Sequence, residues 1–242
     1  MEYFDKINLN LHLREILRRM EATTPIAQCF IYMGIEIIKK YFPTLSDTQI
    51  KQLDALGGLY RQWNADINVV SRRDIDNIYE RHVLHSLSIA RFLQPVAGST
   101  FLDLGTGGGF PGIPLAILWP ECRLHLIDRI GKKIKVASAV AEAIGLKNVT
   151  FQHGDSGECH DRFDFVVSRA VMKLDGLVRL VRRNVSPACK NTVPNGLICL
   201  KGGDLSEETA NVPYSVINYP VEEFFPDEEF FKTKELIYVP MI

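Results

Sequence analysis

The chain has 242 residues, of which 46% are hydrophobic and 24% charged, and its formal net charge is −1. That length and apolar content suffice for one large or two small domains with a substantial core. No run of eighteen apolar residues is present, so we expect no membrane association through a spanning helix. The opening residues lack a signal-peptide pattern, and the five cysteines include no C-x-x-C pair. We therefore expect a cytoplasmic protein without a disulfide framework or zinc site.

The charge is distributed unevenly along the chain. From Gly202 onward two lysines accompany nine acidic residues, whereas residues 1–201 carry 26 basic and 20 acidic side chains. A basic body with an acidic C-terminal segment is compatible with a polyanion bound on one face. Ordinary solvated surface charge explains the same pattern about equally well.

The first hundred residues are predicted to be mainly helical. Residues 1–32 are treated as an extension with no clear structural assignment, because Thr23-Thr24-Pro25 interrupts a leucine-rich stretch. Ser46-Asp47-Thr48-Gln49 has the pattern of a capping box, which marks a helix start. Residues 75–93 repeat apolar side chains at helical spacing. These signals predict an N-terminal helical cap over residues 33–98.

From Thr100 onward predicted strands alternate with helical stretches, a pattern that indicates a parallel sheet covered on both faces. The last forty residues add two strand candidates suited to an antiparallel edge. The predicted strands are 100–104, 123–128, 149–153, 163–168, 197–201, 215–219 and 236–239. Residues 99–242 are therefore predicted to form a seven-stranded, mostly parallel α/β domain, whose ligand binds at the carboxyl ends of the strands.

The most informative motif is the glycine-rich segment Phe101–Gly112. A short apolar run ends at Asp103, a cluster of glycines follows, and a helical pattern begins at Ile113. This is the strand, turn and helix start at which α/β sheets bind nucleotide-like ligands. Glycines are needed there because a Cβ atom would collide with a closely bound ligand.

Two phosphate-binding interpretations fit this turn poorly. A P-loop requires Lys and Ser or Thr directly after its last glycine, and Phe110-Pro111 occupies that place. Gly107, Gly109 and Gly112 satisfy the dinucleotide pattern G-x-G-x-x-G, but residues 103–106 would then separate the strand from the first glycine. The better alignment is therefore Asp103-x-Gly105-x-Gly107-x-Gly109, with the acid at the end of the strand.

An acid at this position favours a cationic ligand. A carboxylate repels a pyrophosphate and attracts an ammonium group, directly or through water, and S-adenosylmethionine carries both an ammonium and a sulfonium. Asp128 ends the next predicted strand, where it can accept hydrogen bonds from both ribose hydroxyls, as it would for NAD. The expected cofactor is S-adenosylmethionine, bound by Asp103, Gly105, Gly107, Gly109 and Asp128. The alternatives are an NAD(P)-dependent oxidoreductase and a non-catalytic RNA- or nucleotide-binding module.

Further motifs give the chain a specific resemblance. They are Trp63-Asn64 with Ile67-Asn68, Arg81-His82-x-x-His85-Ser86-Leu87, the segment Asp103–Pro114, Phe163-Asp164-x-Val166-Val167-Ser168-Arg169-Ala170 and Leu200-Lys201-Gly202-Gly203. From about Met33 onward the chain resembles the RsmG (GidB) family of bacterial methyltransferases, which modify guanine N7 in small-subunit ribosomal RNA. The resemblance implies a class I, Rossmann-like methyltransferase fold, S-adenosylmethionine as cofactor, and 16S ribosomal RNA or the small ribosomal subunit as partner of a monomeric enzyme.

The resemblance also implies roles for individual residues. Gly105 and Phe110 would contact the cofactor at the first turn, Ser156-Gly157 would flank the adenine, and Arg169 would lie beside the cofactor at the fourth strand end. Arg169 is the candidate catalytic residue, because an arginine facing a ligand must otherwise be buried or paired. The family often has Ala-Glu at Ser156-Gly157, so contacts there are expected through the backbone. It commonly has an acid where His85 stands.

The remaining polar candidates have ordinary explanations beside the functional ones. His82 and His85 are three residues apart on a predicted helix, but no further ligands at suitable spacing accompany them, so packing or RNA contact is favoured over a metal site. Several basic side chains are candidate phosphate contacts, although for each one alone a solvated charge is the favoured explanation. These are Arg61, Arg72, Arg73, Arg81, Lys132, Lys133 and Lys135.

Overall fold

The computed structural model describes residues 34–71, 73–169, 172–203 and 205–242. The extension predicted over residues 1–32 and the candidate phosphate contact Arg72 lie outside the described residues. Among the helices that are described, none combines the length and the apolar character needed to cross a membrane.

Seven strands form one sheet. They are β1 (Thr100–Leu104), β2 (Arg123–Asp128), β3 (Val149–His153), β4 (Phe165–Arg169), β5 (Gly196–Gly202), β6 (Ile217–Pro220) and β7 (Lys234–Pro240). Their order is β3-β2-β1-β4-β5-β7-β6, with β1 to β5 parallel and β7 antiparallel to both of its neighbours. The predicted seven-stranded, mostly parallel sheet with an antiparallel edge is confirmed.

Helices cover both faces of the sheet. They are α1 (Asp47–Asp66), α2 (His85–Phe92), α3 (Gly112–Leu118), α4 (Gly131–Ala143), α5 (Leu174–Val181) and α6 (Ser206–Ala210), and residues 34–41 are helical as well. Successive strand residues serve opposite cores, as the pleat requires. Phe101 belongs to the core formed with α1 to α4, whereas Leu102 belongs to the core formed with α5.

The predicted capping box is present at the start of α1. The Ser46 hydroxyl accepts a hydrogen bond from the Gln49 backbone N–H (3.3 Å), and the Gln49 side-chain oxygen accepts one from the Ser46 backbone N–H (2.9 Å). The same glutamine side chain donates to the carbonyls of Ile117 and Leu118 at the end of α3. The first turn of α1 is therefore also fixed to the α/β part of the chain.

The segment 75–93 differs from the continuous helix that was predicted. It consists of a 3₁₀ turn (Ile75–Asn77), a π-helix (Tyr79–Leu84) and α2. Apolar spacing does not distinguish i→i+4 from i→i+5 hydrogen bonding, so the sequence pattern could not reveal the change. The Tyr79 hydroxyl anchors this segment to α1, because it donates to the Asp54 carbonyl (2.5 Å) and accepts from the Gly57 N–H (3.2 Å).

Strand β4 begins two residues later than predicted and extends one residue further, so that it includes Arg169. Phe163 pairs instead with the loop at Val185, where its N–H donates to the Asn184 carbonyl (2.7 Å). The pairing of β4 with β1 starts only at Phe165. The later end places Arg169 at the carboxyl edge of the sheet.

Candidate functional site

The glycine turn lies at the carboxyl end of β1 and is fixed to β2. The N–H groups of Gly105 and Thr106 both donate to the Ile127 carbonyl (2.9 and 3.1 Å). Gly105, Gly107 and Gly109 have φ values of +68°, +59° and +107°, a region that other residues rarely adopt. A Cβ atom on Gly107 would meet no atom within 4 Å, so this part of the turn faces open space.

Asp103 is fully buried beneath this turn. Its Oδ2 accepts hydrogen bonds from the Thr106 hydroxyl (2.6 Å) and the Gly112 N–H (2.7 Å). Its Oδ1 is buried without a hydrogen-bond partner among the described residues. Burial raises the pKa of Asp103 to about 7, because desolvation penalises the carboxylate. One oxygen thus holds the turn, and the other remains available to a donor from a ligand.

Asp128 connects the turns that follow β1 and β2. Its Oδ2 accepts from the Gly107 N–H (2.8 Å) and its Oδ1 from the Ile130 N–H (2.8 Å). The side chain is 8% exposed, and each carboxylate oxygen retains a lone-pair site beyond the bond shown. The carboxylate expected to bind a ribose therefore also orders the glycine turn next to it.

Phe110 lies at the centre of an aromatic and basic cluster. Its ring centroid is 4.7 Å from that of Tyr60 and 5.3 Å from that of His82. The guanidinium carbon of Arg169 lies 5.2 Å from the same centroid. Because Phe110 is only 3% exposed, its ring packs mainly against the helical cap, and its predicted contact with the cofactor stays a prediction.

Arg169 is held at the end of β4 by neutral groups. Its Nη2 lies 2.9 Å from His82 Nδ1, and its Nη1 donates to the Arg81 carbonyl at 3.4 Å. Within the described part of the chain no carboxylate forms an ion pair with it. Burial lowers the pKa of Arg169 to about 10, which still leaves the guanidinium charged near neutral pH. The site therefore contains a fixed cation that has no ion-pair partner.

Ser156-Gly157 lies in a 3₁₀ turn after β3, next to β2 in the sheet. The Gly157 N–H donates to Asp155 Oδ1 (2.9 Å), and its carbonyl accepts from Arg183 (2.5 Å). The backbone of Gly157 is therefore already hydrogen-bonded within the protein. The expected adenine contacts at this pair remain a prediction.

The candidate phosphate contacts fall into two groups. Arg81 pairs with Asp74 (2.6 Å), and Arg61 lies 3.7 Å from Asp76. The other described candidates form no ion pair with the described residues: they are Arg73, Lys132, Lys133 and Lys135. The second group is better suited to bind an external polyanion, because no internal partner neutralises it.

Two residues of the site were not singled out as such from the sequence. Tyr60 is fully buried, and its hydroxyl donates to the Gly108 carbonyl (2.7 Å), so a residue of the cap fixes the glycine turn. His82, for which packing or RNA contact was favoured, packs against Phe110 and also contacts Arg169. Tyr60 follows the helical spacing of the buried positions of α1, and no local signal pairs either residue with its partner. Among the described residues no cluster of three or more His, Cys, Asp or Glu side chains is placed to hold a metal.

The Tyr60 hydrogen bond gives a direct prediction. We expect Tyr60→Phe to lower the free energy of unfolding by about 1–2 kcal/mol, because the Gly108 carbonyl loses a buried donor. Thermal or denaturant unfolding measures this loss, with Tyr214→Phe at an exposed position as the control. Equal stability of the two variants would show that this hydroxyl does not stabilise the turn.

Comparison with known proteins assigns the chain to a family. The family model GidB, described as rRNA small subunit methyltransferase G, matches residues 49–218. The chain is 57% identical over 204 residues to the Ribosomal RNA small subunit methyltransferase G of Bacteroides thetaiotaomicron, covering 84% of this chain and 98% of the relative. It is 56% identical over 206 residues to the protein of the same name from Bacteroides fragilis strain YCH46, covering 85% and 92%. The chain belongs to the GidB family.

The fold also matches that of a solved methyltransferase. A SAM-dependent methyltransferase from Aquifex aeolicus superposes with a TM-score of 0.50 at 16% identity, covering 72% of this chain and all of that one. The class I methyltransferase fold predicted from the sequence is therefore confirmed. Membership of a methyltransferase family supports the prediction of S-adenosylmethionine as the cofactor.

Proposed function

We propose that this GidB protein transfers the methyl group of S-adenosylmethionine to N7 of a guanine in 16S ribosomal RNA. The relatives in its family are named as small-subunit ribosomal RNA methyltransferases, and guanine N7 is the atom that the sequence resemblance implies. The observation that carries the proposal is the carboxyl edge of the sheet. There a buried acid with a free oxygen, an open glycine turn and an unpaired arginine lie together.

The residues present fit the cofactor. Among the described residues Asp103 Oδ1 is a buried acceptor without a partner, as an ammonium group requires, and Gly107 faces open space where a ligand can lie close to the backbone. Asp128 is held rigidly at the end of β2, where its remaining lone pairs suit ribose hydroxyls. When bound, S-adenosylmethionine supplies an electrophilic methyl carbon on its sulfonium.

Arg169 provides the fixed positive charge of the site. A bare guanidinium beside a sulfonium would be repulsive, so an anionic group has to lie next to Arg169 in the working complex. The cofactor's own carboxylate meets this requirement. We propose that Arg169 holds that carboxylate and so fixes the donor for transfer, which makes it the catalytic residue of the site.

The acceptor needs positioning rather than activation. Guanine N7 carries an exposed lone pair, so no proton has to be removed before it attacks, and neither a general base nor a metal is required. Rate enhancement then comes from holding N7 in line with the S–CH₃ bond at about 3–3.5 Å. The guanine has to be unstacked, which favours single-stranded or loop RNA. The proposed phosphate contacts are Arg73, Lys132, Lys133 and Lys135, which form no ion pair with any described residue.

Cofactor binding should depend on pH through Asp103. Since its pKa is about 7 in the ligand-free protein, an incoming ammonium favours the ionised carboxylate and binding releases a proton. We expect affinity for S-adenosylmethionine to rise between pH 5.5 and 7, by up to about tenfold per pH unit. The ammonium group of the ligand stays protonated throughout this range, because the ordinary pKa of an α-amino group lies above it. Calorimetry across it should show the rise, and Asp103→Asn should flatten the profile; a flat wild-type profile would exclude the ion pair.

Methyl transfer from tritiated S-adenosylmethionine tests the proposed reaction. The substrates are naked 16S ribosomal RNA and assembled small subunits, both purified from cells that lack the protein, followed by mapping of the modified nucleotide. The proposal predicts label at a guanine N7 in at least one of the two substrates. Label at another atom would correct the acceptor, and RNA binding without transfer would instead favour the non-catalytic module.

A further inference from the structure

The guanidinium of Arg169 is oriented by an element of the cap, not by its own domain. Its Nη2 lies 2.9 Å from His82 Nδ1 and its Nη1 3.4 Å from the Arg81 carbonyl. Both partners belong to the π-helix Tyr79–Leu84, and they lie 88 and 87 residues from Arg169 in the chain. Two acceptors on one short segment therefore determine the direction in which Arg169 points.

The contact with His82 defines the protonation of the imidazole. A guanidinium has only donors, so Nδ1 has to accept and cannot carry a proton. The ring is therefore neutral, with its hydrogen on Nε2. Its surroundings agree, because the ring packs against Phe110 and lies beside a positive charge, and burial with that charge lowers the pKa of His82 to about 3.

The segment that carries these acceptors is itself braced. The side chain of Arg81 donates to Asp74 Oδ1 (2.6 Å), while Asp74 Oδ2 accepts from the Ser71 hydroxyl (2.6 Å). His85 is buried one turn later, and its ring contacts those of Phe230 and Phe231, with centroids 5.8 Å apart in both cases. The acceptors are thus held from both ends of the π-helix.

We propose that His82 is a positioning residue for methyl transfer: its neutral imidazole, through the Nδ1 lone pair, sets the guanidinium of Arg169 in the cofactor site. The inference rests on the proposed function, since it gives Arg169 its role there. Asp103, on the neighbouring strand β1, and Asp74 both influence the charge of Arg169, but among the described residues neither forms an ion pair with it. His82 is then the contact that fixes the orientation of an otherwise unpaired cation.

Two substitutions distinguish the role of His82 Nδ1 as a hydrogen-bond acceptor from the packing of the His82 side chain. His82→Leu keeps an apolar side chain against Phe110 but removes the acceptor, and we expect kcat/KM for methyl transfer to fall at least about tenfold. His82→Asn places its side-chain oxygen where Nδ1 stood, and should restore most of that loss. His160→Leu, at an exposed histidine, is the control and should retain wild-type activity. Wild-type activity in His82→Leu, or equal losses in the Leu and Asn variants, would overturn the inference.

A spectroscopic measurement on the full chain does not depend on activity. Long-range ¹H–¹⁵N spectra, with the His82 signal assigned by its absence in His82→Asn, should show the Nε2–H tautomer and no titration between pH 8 and 5. A protonated Nδ1, or titration near the ordinary histidine pKa of about 6.5, would overturn the inference. Absence of methyl transfer by the wild-type chain would instead contradict the proposed function. The tautomer of His82 would still show whether Nδ1 accepts a hydrogen bond from Arg169.

Discussion

Arg169→Ala is expected to reduce methyl transfer about 10²-fold or more while the protein stays folded. The loss is large because a fixed, unpaired cation at the end of β4 disappears, and misplacement of a reacting group by about 1 Å already produces an effect of this size. The free energy of unfolding should fall by about 1–3 kcal/mol, because His82 Nδ1 and the Arg81 carbonyl lose their donor, and this loss is smaller than the total stability of a typical domain. Steady-state kinetics with tritiated S-adenosylmethionine measures the loss, and circular dichroism checks the fold.

Arg179→Ala is the matched control for this experiment. Arg179 is a surface residue of α5 with a side chain 69% exposed, paired with Asp175 one turn earlier. The Arg179→Ala substitution removes the same charge at a site away from the carboxyl edge of the sheet, and the variant should retain normal turnover. If Arg169→Ala and Arg179→Ala transfer methyl groups at the same rate, Arg169 has no part in the reaction.

Gly107→Ala is expected to weaken binding of S-adenosylmethionine at least about tenfold, or about 1.4 kcal/mol. At φ +59° the residue adopts a left-handed conformation, and its missing Cβ would enter the open space in which the ligand is expected. The backbone strain alone lowers stability by about 1–2 kcal/mol. Calorimetric titration with S-adenosylmethionine separates the loss of binding from the loss of stability.

Gly98 provides an unusually close control for Gly107. It has φ +78°, and a Cβ there would also meet no atom within 4 Å, but it precedes β1 at the opposite edge of the sheet. Gly98→Ala should therefore lose similar stability and bind the cofactor as the wild type does. Equal cofactor affinity in the two variants would place the ligand away from the glycine turn.

The sequence predicted the scaffold of this site well. The capping box at Ser46, the strands that carry Asp103 and Asp128 near their carboxyl ends, and the glycine turn after the first of them are local signals, because each depends on neighbours within a few residues. Local propensity and alternation were sufficient for these elements, including the antiparallel edge formed by β6 and β7. The family resemblance then identified Arg169 as the candidate catalytic residue.

The contacts that orient the site could not be predicted in the same way. Tyr60 reaches the glycine turn 48 residues away, and Arg169 reaches His82 across 87 residues. Both contacts depend on how the cap packs against the sheet, a tertiary property that one sequence does not encode in any local pattern. The π-helix at Tyr79–Leu84 has the same apolar spacing as an α-helix. The sequence therefore did not indicate that this segment directs His82 Nδ1 and the Arg81 carbonyl toward Arg169.

Calorimetric titration of the full chain with S-adenosylmethionine and, separately, with NAD tests the central claim most directly. The two acids and the unpaired arginine at the carboxyl edge of the sheet predict saturable binding of S-adenosylmethionine and of its demethylated product, and no measurable heat with NAD. Saturable binding of NAD, with no heat from S-adenosylmethionine, would contradict the account.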